Sequence, residues 1–220
     1  MVRFYRNTSL PARILRLLLG LMITALGTQI MVTASIGLNP RGILVQGLMA
    51  KTGLRFGTVT QLLGLILILI STCFRLYPGI GTVLNVVLIG YIVDLYALLP
   101  FWATPNTLLF QILLFLPGLF LFSLGLAMYL SEELGSGPRD SIMLLCLRLP
   151  HSSVALSRTI LDVFSAGTGY FLGGPVGIGS ILAVMLSGCM LQACFRILHK
   201  DPRALCQKTI VDIIATLRRK

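Results

Sequence analysis

The sequence predicts an all-α, polytopic helical membrane protein made of two internal repeats, each with three spans and a short re-entrant helix. Three observations carry that prediction. Of the 220 residues, 56% are hydrophobic and 11% charged, against about 25% charged in an average soluble domain. Uncharged runs fill the middle of the chain: Leu17 to Pro40, Phe56 to Phe74, Leu76 to Val93, Leu95 to Ser131 and Val163 to Phe195. A span needs about 20 apolar residues to cross a hydrocarbon core of roughly 30 Å, so each run holds at least one. Finally, residues 20–94 align ungapped on 118–192, at an offset of 98, with 15 of 75 positions identical.

The matched residues are not interchangeable leucines. Gly20, Gly27 and Gly37 fall on Gly118, Gly125 and Gly135; Pro40-Arg41 falls on Pro138-Arg139; Gly79-Ile80-Gly81 falls on Gly177-Ile178-Gly179, and Gly90 on Gly188. Six glycine pairs, a proline and an arginine in one register point to duplication.

Each unit reads as a long helix, a Gly-x-x-Pro-Arg break, a short helix, a second long helix, a Gly-Ile-Gly turn and a third long helix. The expected helices are 12–36, 40–51, 57–76 and 81–98, then 107–132, 138–149, 154–172 and 179–198. The short helices offer only about ten apolar residues, roughly 15 Å, which is too little to span. Six spans result, and three per unit invert the second copy relative to the first. An N-terminus inside places Arg75, Arg148, Arg158 and the basic C-terminus inside, with the uncharged 99–106 and 173–178 connections outside. Arg41, Lys51 and Arg55 then fall outside; eight spans in parallel units, which put Lys51 and Arg55 inside, are the alternative. The expected division is residues 1–106, 107–200 and a cytoplasmic amphipathic tail, 201–220. In that tail Asp201-Pro202 opens a helix with Ile210, Ile213, Ile214 and Leu217 on one face.

Several classes of function drop out. Net charge is +11, but eleven of the 18 cations lie in residues 1–16 and 196–220, which fits membrane flanks and not nucleic acid. Five cysteines and two histidines show no metal-ligand spacing, so neither a metal site nor a cofactor is expected. No nucleophile–base constellation is visible either, and the chain is not expected to be an enzyme. The apolar stretch from Leu17 to Ile36 is longer than a signal-peptide core and belongs to the repeat, so cleavage is not expected.

Candidate solute-binding residues cluster at the breaks. The turns Gly79-x-Gly81-Thr82 and Gly177-x-Gly179-Ser180 each open a long helix, where free N–H groups and the positive dipole end suit an anion. The same glycines also suit a tight turn and close helix packing, with Thr82 and Ser180 as caps. The stripes Gly53-x-x-x-Gly57 and Gly169-x-x-x-Gly173-x-x-x-Gly177 read as packing devices. Arg158 and Asp162 lie four apart on one helix face, and Arg139-Asp140 sits at the second break beside Pro138. Their counterparts are Thr60, Gly64 and Arg41-Gly42 after Pro40. Ionisable groups cost several kcal/mol in hydrocarbon, so these residues are expected either to pair for structure or to line a path. Asp94 is expected to face water near a helix end, where Glu132 and Glu133 likewise sit.

The segments Gly79-Ile-Gly-Thr-Val-Leu-Asn85, with Gly90 and Asp94, and Gly135-Ser-Gly-Pro-Arg-Asp-Ser141 resemble the YczE/YyaS/YitT family of bacterial integral membrane proteins, as do Gly173-Gly174 and Gly177-Ile-Gly-Ser180. The likeness covers residues 15–195. It implies a multi-pass protein of the bacterial inner membrane with no assigned activity. Arg41 in place of Trp, Ser180 in place of Thr and Cys189 in place of Pro depart from the family pattern.

The architecture favours a small-molecule or ion transporter, or a permease, whose solute meets Pro40, Arg41, Gly79, Gly81, Thr82, Asn85, Pro138, Arg139, Asp140, Arg158, Asp162, Gly177, Gly179 and Ser180. The alternative is a membrane scaffold or accessory protein for partner enzymes. The expected partners are the lipid bilayer and an unknown small solute or ion, not nucleic acid; a homo-oligomer or a partner subunit is open. Both termini are expected to be cytoplasmic.

Overall fold

The computed structural model describes residues 10–73, 78–100, 102–137, 140, 143, 153–202 and 205. These hold seven helices and no strand: α1 Leu10–Ala34, α2 Pro40–Thr52, α3 Phe56–Cys73, α4 Ile80–Ala97, α5 Leu108–Ser131, α6 Val154–Phe171 and α7 Ile178–Ile197. Asp140 and Met143, in the expected second short helix, are helical too. Five of the seven, α1, α3, α4, α5 and α7, are long and apolar enough to cross a membrane. α6 has the same length as α3 and α4, but Arg158 and Asp162 reduce its hydropathy. At 13 residues, α2 is about 20 Å long, short of the hydrocarbon core. Asn39 caps it by accepting the Gly42 N–H (2.7 Å), Pro40 starts it, and Gly53 ends it in the left-handed conformation (φ 68°). Of the expected amphipathic tail only residues 201, 202 and 205 are described.

α1 and α5 form the centre and run antiparallel. A Cβ on Gly20 would lie 2.9 Å from the Gly125 carbonyl oxygen, and one on Gly118 would lie 3.1 Å from that of Gly27. Only hydrogen at these positions lets the backbones meet, which is how helices associate where no hydrophobic effect separates protein from lipid. Leu17, Leu21, Ala25 and Met31 of α1 pack with Phe115, Leu119 and Leu126 of α5, all buried. α4 lies against α1 and α7 against α5; α3 covers α4, and α6 covers α7. Leu65, Ile66, Leu69 and Ile70 on α3, and Val163, Phe164 and Phe171 on α6, are exposed, an apolar outer surface that suits lipid.

The breaks after α1 and α5 share one backbone. Ser35 and Glu133 are left-handed (φ 57° and 54°), and Gly37 and Gly135 follow with φ 121° and 113°. Each break is tied to the turn of the opposite unit. The Gly179 N–H donates to the Ile36 carbonyl (2.9 Å) and the Gly81 N–H to the Leu134 carbonyl (2.7 Å). A Cβ on Gly81 would touch Leu17, and one on Gly179 would touch Phe115. Both contact residues stand seven positions into their helices, so the joints lie about 10 Å inside the bundle.

α2 does not traverse the bundle. Its entry is held at the start of α7, where the Leu38 N–H donates to Ser180 Oγ (3.1 Å). Its exit leads straight into α3, whose Gly57 N–H donates to Asp94 Oδ1 near the end of α4 (3.0 Å). Both points belong to the end of the bundle where α1 finishes, called here the far end. Asp94 therefore does not simply face water as expected; the free amides that open α3 need an acceptor, and Asp94 supplies it.

Glu132 sits at a helix end as expected, as the C-cap of α5, and is buried there, 4% exposed. Arg16 holds its carboxylate with two bonds (2.8 and 3.0 Å), and Arg13 donates to its carbonyl oxygen. Lys200, after α7, stands in the field of Glu132, Glu133, Arg13 and Arg16; burial lowers its pKa while the two acids raise it. The start of α1 and the end of α7 thus share one end of the bundle, the near end.

Candidate functional site

Polar side chains inside the bundle gather around Arg158. The four-residue spacing on α6 puts Arg158 and Asp162 on the same helix face, and that face turns inward toward Ser187 of α7 and Phe122 of α5. Arg158 is 4% exposed and Asp162 0%. Arg158 Nη1 donates to Asp140 Oδ1 at 3.1 Å, while its Nε lies 3.5 Å from Asp162 Oδ2 without hydrogen-bond geometry. The Ser187 hydroxyl of α7 donates to Asp162 Oδ2 (2.5 Å), and the Tyr129 hydroxyl of α5 donates to Asp140 Oδ2. The Gly137 N–H donates to the Tyr129 oxygen (3.2 Å). The guanidinium lies over the Phe122 ring, 5.7 Å from its centroid. A guanidinium shared by two carboxylates, each also bonded to a hydroxyl, is how such charges tolerate removal from water.

Phe122 fixes the depth of this cluster. The glycine contacts of α1 with α5 place the crossing point between Gly20 and Gly27 on one helix and between Gly118 and Gly125 on the other. Phe122 lies in that interval, so Arg158 sits level with the middle of the bundle.

Two expected site residues border the cluster without being bonded into it. Asn85, on α4 one turn beyond Thr82, is 3% exposed. Its Oδ1 lies 3.7 Å from where a Cβ on Gly137 would stand, and Asp140 Oδ2 and the Tyr129 oxygen lie 3.0 and 3.4 Å from the same point. Arg41, the second residue of α2, is partly buried and stands in the field of Asp140, Tyr129 and Arg158. Pro40 is buried at the start of α2. Pro138 and Arg139 lie outside the described residues.

The glycine turns occupy a different place. The Gly81 and Gly179 amides are engaged by the Leu134 and Ile36 carbonyls. The Gly79 and Gly177 amides donate to Thr82 Oγ1 (3.1 Å) and Ser180 Oγ (3.4 Å), and Thr82 Oγ1 donates on to the Ser136 carbonyl (2.5 Å). These six residues form the joints between units, and the joint at Gly79 adjoins Asn85 and Gly137.

Tyr129, Ser187 and Phe122 were not legible as site residues. The offset of 98 carries a signal for two of them. Tyr129 corresponds to Met31, Ser187 to Ile89, Asn85 to Ala183, Asp140 to Gly42, Asp162 to Gly64 and Arg158 to Thr60. Apart from Asn85, whose apolar counterpart Ala183 lies in the second unit, these polar residues of the second unit correspond to an almost wholly apolar, buried set in the first.

Two clefts open at opposite ends. One, of about 360 Å³, lies at the far end between the Ser35–Gly37 break and the Pro175–Ile178 turn. The other, of about 640 Å³, lies at the near end and is lined by Val154, Gln192, Phe195 and Lys200 among others.

Known proteins agree with a membrane assignment. A family of unknown function, DUF6198, matches residues 11–196. An uncharacterized protein of Haemophilus influenzae is 31% identical over 188 residues, 84% of each chain. The uncharacterized membrane protein YczE of Bacillus subtilis is 31% identical over 176 residues, 79% of this chain and 80% of its own. The uncharacterized protein YyaS of the same organism is 28% identical over 184 residues, 83% of this chain and 92% of its own. No solved structure matches.

Proposed function

The chain belongs to the DUF6198 family, and we propose that it is a carrier of a small solute or ion in the bacterial inner membrane, built from two inverted three-span units. The observation that carries the proposal is the Asp140–Arg158–Asp162 cluster, buried level with the α1–α5 crossing and polar in one unit only. Intramembrane ions at a repeat interface recur where proteins move charged solutes.

Inversion is supported by reciprocity. Gly81 bonds Leu134 and Gly179 bonds Ile36; Gly20 meets Gly125 and Gly27 meets Gly118. Each contact becomes its partner when residues 98 apart are exchanged, the behaviour of an isologous interface. Because the equivalent helices α1 and α5 run antiparallel, the axis relating them lies across the bundle, in the membrane plane. The return of α2 to the far end favours six spans over eight. The near end, with Arg13, Arg16, Arg196 and Lys200, is taken as cytoplasmic.

The reading is of transport, since the acids and hydroxyls of the cluster are engaged with one another and with Arg158. Purified protein in proteoliposomes, offered a panel of small metabolites and ions under imposed proton and sodium gradients, tests it. Uptake of one solute supports the proposal. Absence of uptake across the panel, together with a stoichiometric enzyme partner co-purifying from native membranes, makes the chain a scaffold.

A further inference from the structure

The near-end cleft, of about 640 Å³, carries a charge pattern that neither the ionic cluster nor the joints between units use. Its walls are the start of α6 at Val154 and the end of α7 at Arg196 and His199, with Lys200 and Asp201 beyond. The turn that ends α7 brings these cations together. The His199 N–H donates to the Arg196 carbonyl (3.0 Å) and the Lys200 N–H to the Phe195 carbonyl (2.9 Å), so the last carbonyls of the helix are occupied. His199 is left-handed there (φ 53°), a position that glycine usually fills. Where glycine would leave the wall bare, histidine lines the cleft. Arg196 and Lys200 stand against the single acid Asp201, which leaves a net charge of about +1 even with His199 neutral. Lys200 also lies in the field of Glu132 and Glu133, so the exposed Arg196 supplies most of the attraction for an anion.

The membrane is the nearest source of that anion. α7 is long and apolar enough to cross a bilayer, so its last turn lies at headgroup level. The face of α7 that reaches the cleft at Gln192 continues inward through Cys189 and Met185, both exposed. On α6, Leu156 and Ile160 follow Ser153 on one face and are exposed as well. Each helix thus carries an apolar stripe from the cleft toward the bilayer interior, which suits acyl chains and has no use for a soluble anion.

We infer that this cleft binds the phosphate headgroup of an anionic phospholipid, with Arg196 and His199 against the phosphate and the acyl chains along the exposed faces of α6 and α7. Basic pockets between membrane helices recognise anionic headgroups by the same chemistry. The inference rests on the membrane assignment alone and holds whether or not the chain carries a solute.

Cys189, exposed on the stripe, takes the reporter. The full chain, with its other four cysteines replaced by alanine, is labelled there with bimane and reconstituted in phosphatidylcholine bilayers. Quenching by phosphatidylglycerol brominated on its acyl chains is compared with quenching by phosphatidylcholine brominated in the same way, at equal mole fraction. A preference of about fivefold for phosphatidylglycerol is expected, the worth of one net interfacial cation. It should fall to near equality in Arg196→Gln, survive in Arg196→Lys and shrink in His199→Asn, since asparagine tolerates the left-handed turn. Lys51→Gln/Arg55→Gln, which removes two exposed cations at the far end, should leave it unchanged. The parent in 1 M potassium chloride, where the Debye length is about 3 Å, should lose most of the preference without any substitution. Equal quenching by the two lipids in the parent would overturn the inference, as would a preference that 1 M salt leaves intact. A preference that Arg196→Gln retains would overturn it by assigning the attraction to the basic surface as a whole. Loss of the preference on adding inorganic phosphate at constant ionic strength would do so by making the occupant a soluble anion.

Discussion

Arg158 and Asp162 stand one helical turn apart on α6 with head groups 3.5 Å from each other, both closed off from solvent inside a bundle whose outer surface is apolar. Their counterparts 98 residues earlier, Thr60 and Gly64, occupy buried positions on α3 without any charge. One unit has thus become ionic where the other stayed neutral, and the predictions below follow from that asymmetry and from the joints that hold the units together.

Thr60 Oγ1 is buried and has no hydrogen-bond partner. A buried hydroxyl left unsatisfied costs about 1–3 kcal/mol, so Thr60→Val should keep or raise stability. Chemical denaturation of the purified variant checks this. A loss above about 1 kcal/mol would mean that the hydroxyl is satisfied by a bound group.

The α1–α5 contact is sterically closed at Gly27, where a Cβ would stand 2.6 Å from the Gly118 carbonyl oxygen. Gly27→Ala should therefore lose about 1–3 kcal/mol through overpacking. Gly167 on α6 has open space around it, and Gly167→Ala should gain up to about 1 kcal/mol from helix propensity. Thermal melts of the two variants side by side should move in opposite directions; a similar fall in both contradicts the close approach.

At the near end, Arg16→Met leaves the buried Glu132 carboxylate with one arginine fewer. Breaking a fully buried pair costs about 3–5 kcal/mol. The Arg16 side chain is 29% exposed, so a loss of roughly 1–3 kcal/mol is expected here. The paired variant Arg16→Met/Glu132→Leu should recover most of that loss in the same melt, since no charge is then stranded. Failure of the pair to recover would assign the cost to packing by the Arg16 stem.

Topology is checked at Thr104, in the 99–106 connection that follows α4 at the far end. In a cysteine-free background Thr104→Cys should react with an impermeant maleimide in intact cells. Reaction only after permeabilisation would favour the eight-span arrangement or an inverted orientation.

Much of this fold could be read from the chain. The boundaries of the seven helices α1 to α7 follow the glycine and proline punctuation to within three residues, because Asn39-Pro40, Gly53 and the two Gly-Ile-Gly turns act through local backbone chemistry. The charged face of α6 was legible for the same reason, as spacing on one helix. What the sequence hid is the tertiary part. Tyr129 and Asp140 meet only because the break after α5 folds the chain back on itself, and Glu132 is buried only because α1 brings Arg16 alongside. Asp94 looked like a surface acid until the start of α3 was seen to need an acceptor. The glycine turns were read as open anion sites or as packing joints. In the structure their amides are filled by the opposite unit, which no single unit's sequence states.

The central claim is that the ionic cluster drives movement of a charged solute, and transport by Asp162→Asn tests it most directly. Currents are recorded on solid-supported membranes carrying the parent or the variant, with any solute that the parent transports and with expression and melting matched between the two. The account predicts a loss of at least about tenfold in transport for Asp162→Asn with the fold intact, and little change for Thr60→Val. Full transport by Asp162→Asn, or transport restored by Arg158→Gln in an unstable Asp162→Asn background, would contradict it and leave Arg158 and Asp162 as a structural ion pair.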